Sequence, residues 1–183
     1  TGHIDRRVSI VLTDKNDYTQ FFLVIVWNLD GFDHRTDHID AVVGEVATED
    51  RGIGFLAYCP LGRGFLTGAL SSDTIGEGDY RSANPRFTPE AMAANAALID
   101  VLKGIAAPLG ATAAQIALAW LLAQRDWIVP IPGTTKLARL DENLDAASLA
   151  LSAEQLAAID RASREAEIVG ARYLPAMEAM TGR

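Results

Sequence analysis

Two stretches of this sequence collect residue types suited to holding a flat, negatively charged ligand. The first is Ala57–Gly68, AYCPLGRGFLTG. Tyr58 offers an aromatic face, Gly62 and Gly64 let main-chain N–H groups approach a phosphate closely, and Arg63 adds positive charge. A tight strand-to-loop turn with a core tyrosine uses the same residues, because glycine-rich turns are common. The second stretch is Val129–Asn143, VPIPGTTKLARLDEN. Two hydroxyls, Thr134 and Thr135, follow Gly133 and precede a helix start that carries Lys136 and Arg139 in its first turns. A helix N-terminus has N–H groups without intrahelical partners and a partial positive charge, so acids usually sit there and anions bind there. Basic residues in that place oppose the helix dipole, which points to an anionic ligand; a solvated helix start is the alternative. Glu142 and Asn143, one turn on, can accept and donate hydrogen bonds to a base edge.

The elements around these stretches must place them. Gly52–Tyr58 (GIGFLAY) is a short, nearly continuous apolar run, as expected of a buried parallel strand, and Pro60 and Gly62 stop it. Trp127–Ile131 is a second short apolar strand, closed by Pro130 and Pro132. Ser71–Phe87 is rich in Ser, Gly, Asp, Asn and Pro and reads as a long loop, of the kind compact domains keep for a use such as a lid over a ligand. Thr88, Pro89 and Glu90 start a helix that carries Leu98, Val101, Leu102 and Ile105 on to Gly110. Thr112 with Gln115 forms a capping box for a second helix, with Ile116, Ala119, Trp120 and Ala123 along one face. A third helix runs from Leu137 to about Ala147, and a fourth, capped by Ser152 with Gln155, runs to about Glu167. Strands alternating with helices predict an α/β fold, a parallel sheet with helices outside it. In such folds ligands meet the loops at the carboxyl ends of the strands. The tail after Ala166 is expected to pack over this body or to fray.

Residues 1–52 read differently. Ser9–Leu12 and Phe21–Trp27 are β-prone runs separated by a polar, turn-like stretch and suggest a hairpin, and His34–Ala47 suggests a short helix. The chain thus divides into an atypical N-terminal segment, 1–52, and a β/α part, 53–183.

The totals bound what this chain can do. Its 183 residues suffice for one domain with a real core, but a complete eight-fold β/α barrel takes about 250. A net charge of −8 disfavours nucleic acid and membrane surfaces as partners, while leaving room for a local basic pocket. The longest apolar run, Phe21–Trp27, spans 7 residues, against the roughly 20 of a spanning helix. Thr1 is not followed by a basic region and an apolar run, so no secretory signal is expected. With Cys59 as the single cysteine, no internal disulfide can form, and a reducing cytoplasm is the expected location.

Taken together, the two stretches resemble the aldo-keto reductase family. Ala57–Gly68 is similar to the family's strand-seven motif, where an aromatic residue stacks on nicotinamide and the next turn wraps the pyrophosphate. Val129–Asn143 is similar to strand eight and its helix, which hold the adenosine 2′-phosphate and give the preference for NADPH. The resemblance covers about residues 53–165 and includes the helical stretch Gln115–Leu121 (QIALAWL). It implies a TIM-type (β/α) barrel, here partial or truncated, with NADP as cofactor and a small-molecule carbonyl compound as substrate. By residue, it puts Tyr58 on the nicotinamide and Leu61 and Gly62 beside the pyrophosphate. Thr134, Lys136 and Arg139 fall at the 2′-phosphate, Glu142 and Asn143 at the adenine, and Gly133 and Thr135 belong to the same cofactor-binding segment. Cys59 stands where the family usually has serine, and a thiol is a weaker donor.

The family's catalytic tyrosine, lysine, aspartate and histidine sit on earlier strand ends, and residues 1–52 give no clear match to those strands. Asp14, Lys15, Asp17 and Tyr18 have suitable types but crowd into one polar turn, so no catalytic residue is assigned; Trp27–Asn28 and His38–Val46 resemble a worn strand six and its helix. Three readings follow: an NADPH-dependent reductase of aldehydes or ketones, a nucleotide-binding or regulatory module without catalysis, and a truncated product. Two strands alone leave open sheet edges, which the first fifty residues or another subunit must cover.

Weaker candidates have plainer explanations. Asp33, His34, Asp37 and His38 have a helical metal-binding spacing but lack a clear third ligand, so a polar turn explains them better and no metal is expected. Cys59 has no histidine nearby in sequence, as an inert thiol would not. Tyr80, Arg81 and Arg86 could line a substrate mouth or simply belong to an exposed loop.

Overall fold

The computed structural model describes residues 55–126 and 128–178. The hairpin over residues 9–27, the helix over His34–Ala47, and the Asp14–Tyr18 and Asp33–His38 groups lie outside the described residues.

Two strands, β1 (Phe55–Tyr58) and β2 (Ile128–Ile131), pair in parallel with Phe55 opposite Ile128 and Tyr58 opposite Ile131. Pro130 does not close β2, as the sequence suggested, but lies within it opposite Ala57. Proline lacks an N–H for the ladder and is tolerated in a strand where that position needs no donor.

Between the strands run α1 (Pro89–Ala94), α2 (Ala96–Leu109) and α3 (Ala113–Gln124); after β2 come α4 (Leu137–Asp145), α5 (Ala153–Glu165) and the short α6 (Pro175–Glu178). The Thr112–Gln115 and Ser152–Gln155 capping boxes are both formed. The helix expected from Pro89 to Gly110 breaks in two at Asn95. That side chain is buried and exchanges two hydrogen bonds with Val169: Nδ2 donates to its carbonyl at 2.9 Å, and its N–H donates to Oδ1 at 2.9 Å. A bond across 74 residues is invisible to local periodicity.

Helix α3 is the centre of the body. It packs on α2, β2 and α4 and lies against the 3₁₀ turn Ala146–Ser148. Its burial is not the single face expected: Ala113, Ala114 and every residue from Ile116 to Leu121 are buried, while Ala123 is exposed. A helix apolar all round belongs inside a protein. Small alanines let neighbours approach, and Trp120 fixes the outer layer by donating from Nε1 to Asp160 Oδ1 of α5 at 2.7 Å. Among the described residues, no single helix is long and apolar enough to cross a membrane.

Ser71–Phe87 is not an open loop. It is folded into 3₁₀ turns at Ser72–Thr74, Tyr80–Ala83 and Pro85–Phe87, with Asp79 and Asn84 capping the last two. Buried Asn84 donates to the Arg172 carbonyl at 2.9 Å, and Arg86 donates to the Gly170 carbonyl at 3.3 Å. The described part of the tail after Ala166 therefore packs through Gly170 and Arg172, and its seat is this segment.

Ile116 has no exposed surface. Ile116→Ala should cost about 2–5 kcal/mol and Ile116→Val about 0.5–1.5 kcal/mol, read from urea unfolding. Equal, small losses for both would mean that α3 is not the centre of the core.

Candidate functional site

Register decides what meets at the sheet end. Because Tyr58 pairs with Ile131 in a parallel ladder, the chain leaves both strands in the same direction, about 4.8 Å apart. The turn after β1 and the segment leading to α4 after β2 thus leave the same end of the sheet, as the two sequence stretches required.

After β1 the chain turns through four left-handed residues, Cys59 (φ 51°), Gly62 (56°), Arg63 (57°) and Gly64 (95°). Gly62 N–H donates to the Cys59 carbonyl at 2.9 Å, and the Gly64 and Leu66 N–H groups donate to the Leu61 carbonyl at 3.0 and 3.2 Å. The N–H groups of the two glycines therefore close the turn, and what these residues offer an incoming ligand is room. Arg63 also departs from expectation. Its Nη1 donates to the Arg172 carbonyl at 2.9 Å, and its guanidinium lies 5.1 Å from the Tyr173 ring centroid and 5.9 Å from that of Tyr80. Its charge is directed to the tail.

Tyr58 is 43% exposed, which excludes the core-tyrosine alternative. Its hydroxyl ionises above the usual phenol range, first because of a hydrogen bond with the Cys59 thiol and then because of that thiol's charge and burial. The ring is a neutral platform with an open side. Cys59 is half-buried, and no histidine lies among the described residues to activate it.

After β2, Gly133, Thr134, Thr135, Lys136 and Arg139 are all exposed. A side chain added at Gly133 would meet nothing within 4 Å. The Lys136 N–H is held by Thr134 Oγ1 at 3.2 Å, which shapes the entry into α4. Helix α4 has no side-chain cap and no acid in its first turn, so its positive end faces solvent with two cations beside it. Glu142 and Asn143 are half-buried. Glu142 Oε1 accepts from Thr112 Oγ1 at 2.6 Å, and Oε2 is hydrogen-bonded to Arg139. Thr112 caps α3, so one hydroxyl joins the start of α3 to α4.

Of Tyr80, Arg81 and Arg86, only Arg86 lines the small hollow beneath the turn, and Arg81 is engaged within its own loop. Arg81 grips Asp79 through Nε and Nη2, at 3.0 and 2.6 Å, and holds that carboxyl below the usual carboxylate range. Its Nη1 donates to the Arg63 carbonyl at 3.1 Å. These arginines buttress the turn and the tail. Among the described residues no group of three or more His, Cys, Asp or Glu side chains could hold a metal ion.

Residues 24–164 match the Aldo/keto reductase family. The chain belongs to that family. The match starts upstream of both motifs and takes in the Trp27–Asn28 and His38–Val46 stretches. Over 130 residues the chain is 44% identical to the Schizosaccharomyces pombe protein named aldo-keto reductase yakc [NADP(+)], covering 70% of this chain and 38% of that protein. It is 40% identical over 122 residues to probable aldo-keto reductase 1 of Glycine max, covering 67% of this chain and 35% of the relative. A crystal structure of the thermostable aldo-keto reductase Tm1743 with the inhibitor epalrestat aligns with a TM-score of 0.46 at 28% identity, covering 71% of this chain and 36% of that one. This aldo/keto reductase chain thus spans between a third and two fifths of the length of these curated relatives.

The Thr112 hydroxyl has two tasks, capping α3 and anchoring Glu142 of α4. Thr112→Ala should therefore lower stability by about 1–2 kcal/mol, the upper part of the range for a lost N-cap. Thr112→Ser keeps the oxygen and should stay near the parent in urea unfolding; a loss as large as alanine's would point to the methyl group instead.

Proposed function

We propose that this chain binds NADP across the carboxyl ends of β1 and β2, and that it forms this part of an NADPH-dependent oxidoreductase acting on aldehydes or ketones, built as a TIM-type (β/α) barrel. The observation that carries the reading is that the exposed Tyr58, at the carboxyl end of β1, and the uncapped, doubly cationic start of α4, which follows β2, lie toward the same end of one parallel pair of strands. One end suits a phosphate and the other an aromatic ring. The relative whose printed name includes NADP(+) is 44% identical, which supports the same cofactor.

The residues fit the group. Tyr58 lies against the nicotinamide, with Leu61 and Gly62 beside the pyrophosphate. Gly133 leaves the approach open, Thr134 and Thr135 add hydroxyl donors, and Lys136 and Arg139 supply charge for the 2′-phosphate. Glu142 and Asn143 face the adenine. Cys59, engaged with Tyr58, adds little to phosphate binding, because a thiol donates weakly. When bound, the dinucleotide supplies the hydride, and these residues hold and orient it. The proton donor to the carbonyl oxygen is not assigned to any residue of this chain.

Titration of the pure chain with NADPH, followed by tryptophan fluorescence, should saturate. An assay of aldehyde reduction then separates an enzyme from a binding module: turnover supports the reductase, and saturable binding without turnover supports the module. No saturable binding would sink the reading. Arg139→Ala should raise the Kd for NADPH by about tenfold or more, as expected for loss of a charge-assisted contact, and leave NADH nearly unchanged. Equal losses for both cofactors would remove Arg139 from the 2′-phosphate.

A further inference from the structure

The turn after β1 holds a non-glycine residue, Arg63, in the left-handed region (φ 57°). Such residues persist only where the surroundings over-determine them. Here the surroundings are the tail. The Arg172 carbonyl accepts from Arg63 Nη1 and from Asn84 Nδ2, both at 2.9 Å, and the Gly170 carbonyl accepts from Arg86. The Tyr173 ring serves two guanidinium groups, Arg63 at 5.1 Å and Arg172 at 5.4 Å from its centroid. Arg172 is buried and, with Cys59, Gly62 and Arg63, lines a small hollow beneath the turn. Gly170 is also fixed in place: its φ is +91°, and a Cβ there would come within 2.6 Å of the Pro85 carbonyl oxygen and 2.7 Å of Arg86 Cα. Main-chain atoms at such distances cannot swing aside, so the tail has one seat.

We propose that Val169–Tyr173 is a latch that sets the Cys59–Gly68 turn in its ligand-ready form, with Arg63 and Tyr173 as positioning residues rather than ligands of the cofactor. The proposal rests on the NADP reading above. The tail's hydrogen bonds and ring contacts go to Arg63, Asn84, Arg86 and Asn95, so it acts on the portion of the site that NADPH and NADH share. Loss of the latch therefore weakens both cofactors by the same factor, whereas loss of Arg139 separates them.

The test compares the full chain with Tyr173→Ala, Tyr173→Phe and Gly170→Ala. Hydrogen exchange of the Gly62, Gly64 and Leu66 amides should quicken about tenfold in Tyr173→Ala and Gly170→Ala, the scale of one lost cation–π contact together with a loosened charged hydrogen bond. Dissociation constants for NADPH and NADH should both rise by a similar factor. Tyr173→Phe, which keeps the ring, should restore both readouts. If Gly170→Ala fails to fold, Tyr173→Ala decides alone. Unchanged exchange, or a loss confined to NADPH, overturns the latch while leaving the NADP reading intact. An unaltered chain that binds neither dinucleotide overturns the NADP reading and this one with it.

Discussion

The parallel pairing of β1 with β2 is the constraint on which the site depends. A parallel ladder sends both chains out of the sheet at the same end, and its register puts Tyr58 level with Ile131. A shift of one residue would turn every side chain of β2 to its other face. Such a pair also needs a long crossover, and here that crossover contains α3. Helix α3 is buried almost all round, touches β2 and α4, and through Thr112 holds the residue that organises the far end of α4. Sheet, crossover and site are one construction.

A second layer of order comes from the tail. The segment from Ser71 to Phe87 buries little apolar surface of its own beyond Phe87, so its turns need polar partners. It finds them in the carbonyls of Gly170 and Arg172, reached by Arg86 and Asn84, while Asn95 and Arg63 from neighbouring segments reach the carbonyls of Val169 and Arg172. Buried asparagines are costly unless their amides are used, and Asn84 and Asn95 each use both ends.

What could be read from the sequence follows from this division. The strands, the two capping boxes and the stop at Gly110 were legible because each depends on neighbours within four residues. The juxtaposition of the two motifs was legible because alternating strands and helices imply a parallel sheet. The break at Asn95, the docking of residues 71–87 on the tail and the turning of Arg63 toward Arg172 were not, since each depends on partners 74 or more residues distant. Arginine beside a glycine turn suggests a phosphate to the sequence reader, because type and spacing do not reveal a competing carbonyl. The basic start of α4 is exposed and uncapped, which suits both the anion site and the solvated helix start that the sequence left open.

That last feature raises the question of why Arg139, already hydrogen-bonded to Glu142, remains available to a ligand. The Arg139 side chain is 54% exposed, and exposed ion pairs contribute only about 0–1 kcal/mol. A phosphate carries more charge than a carboxylate and accepts from a guanidinium in the same two-pronged geometry, so exchange of partners favours the phosphate. Glu142 is not stranded by the exchange, because Thr112 Oγ1 still donates to it at 2.6 Å. The second hydrogen bond makes the first one dispensable, so a helix start that opposes its own dipole is stable without the proposed phosphate and can exchange its ion pair for one.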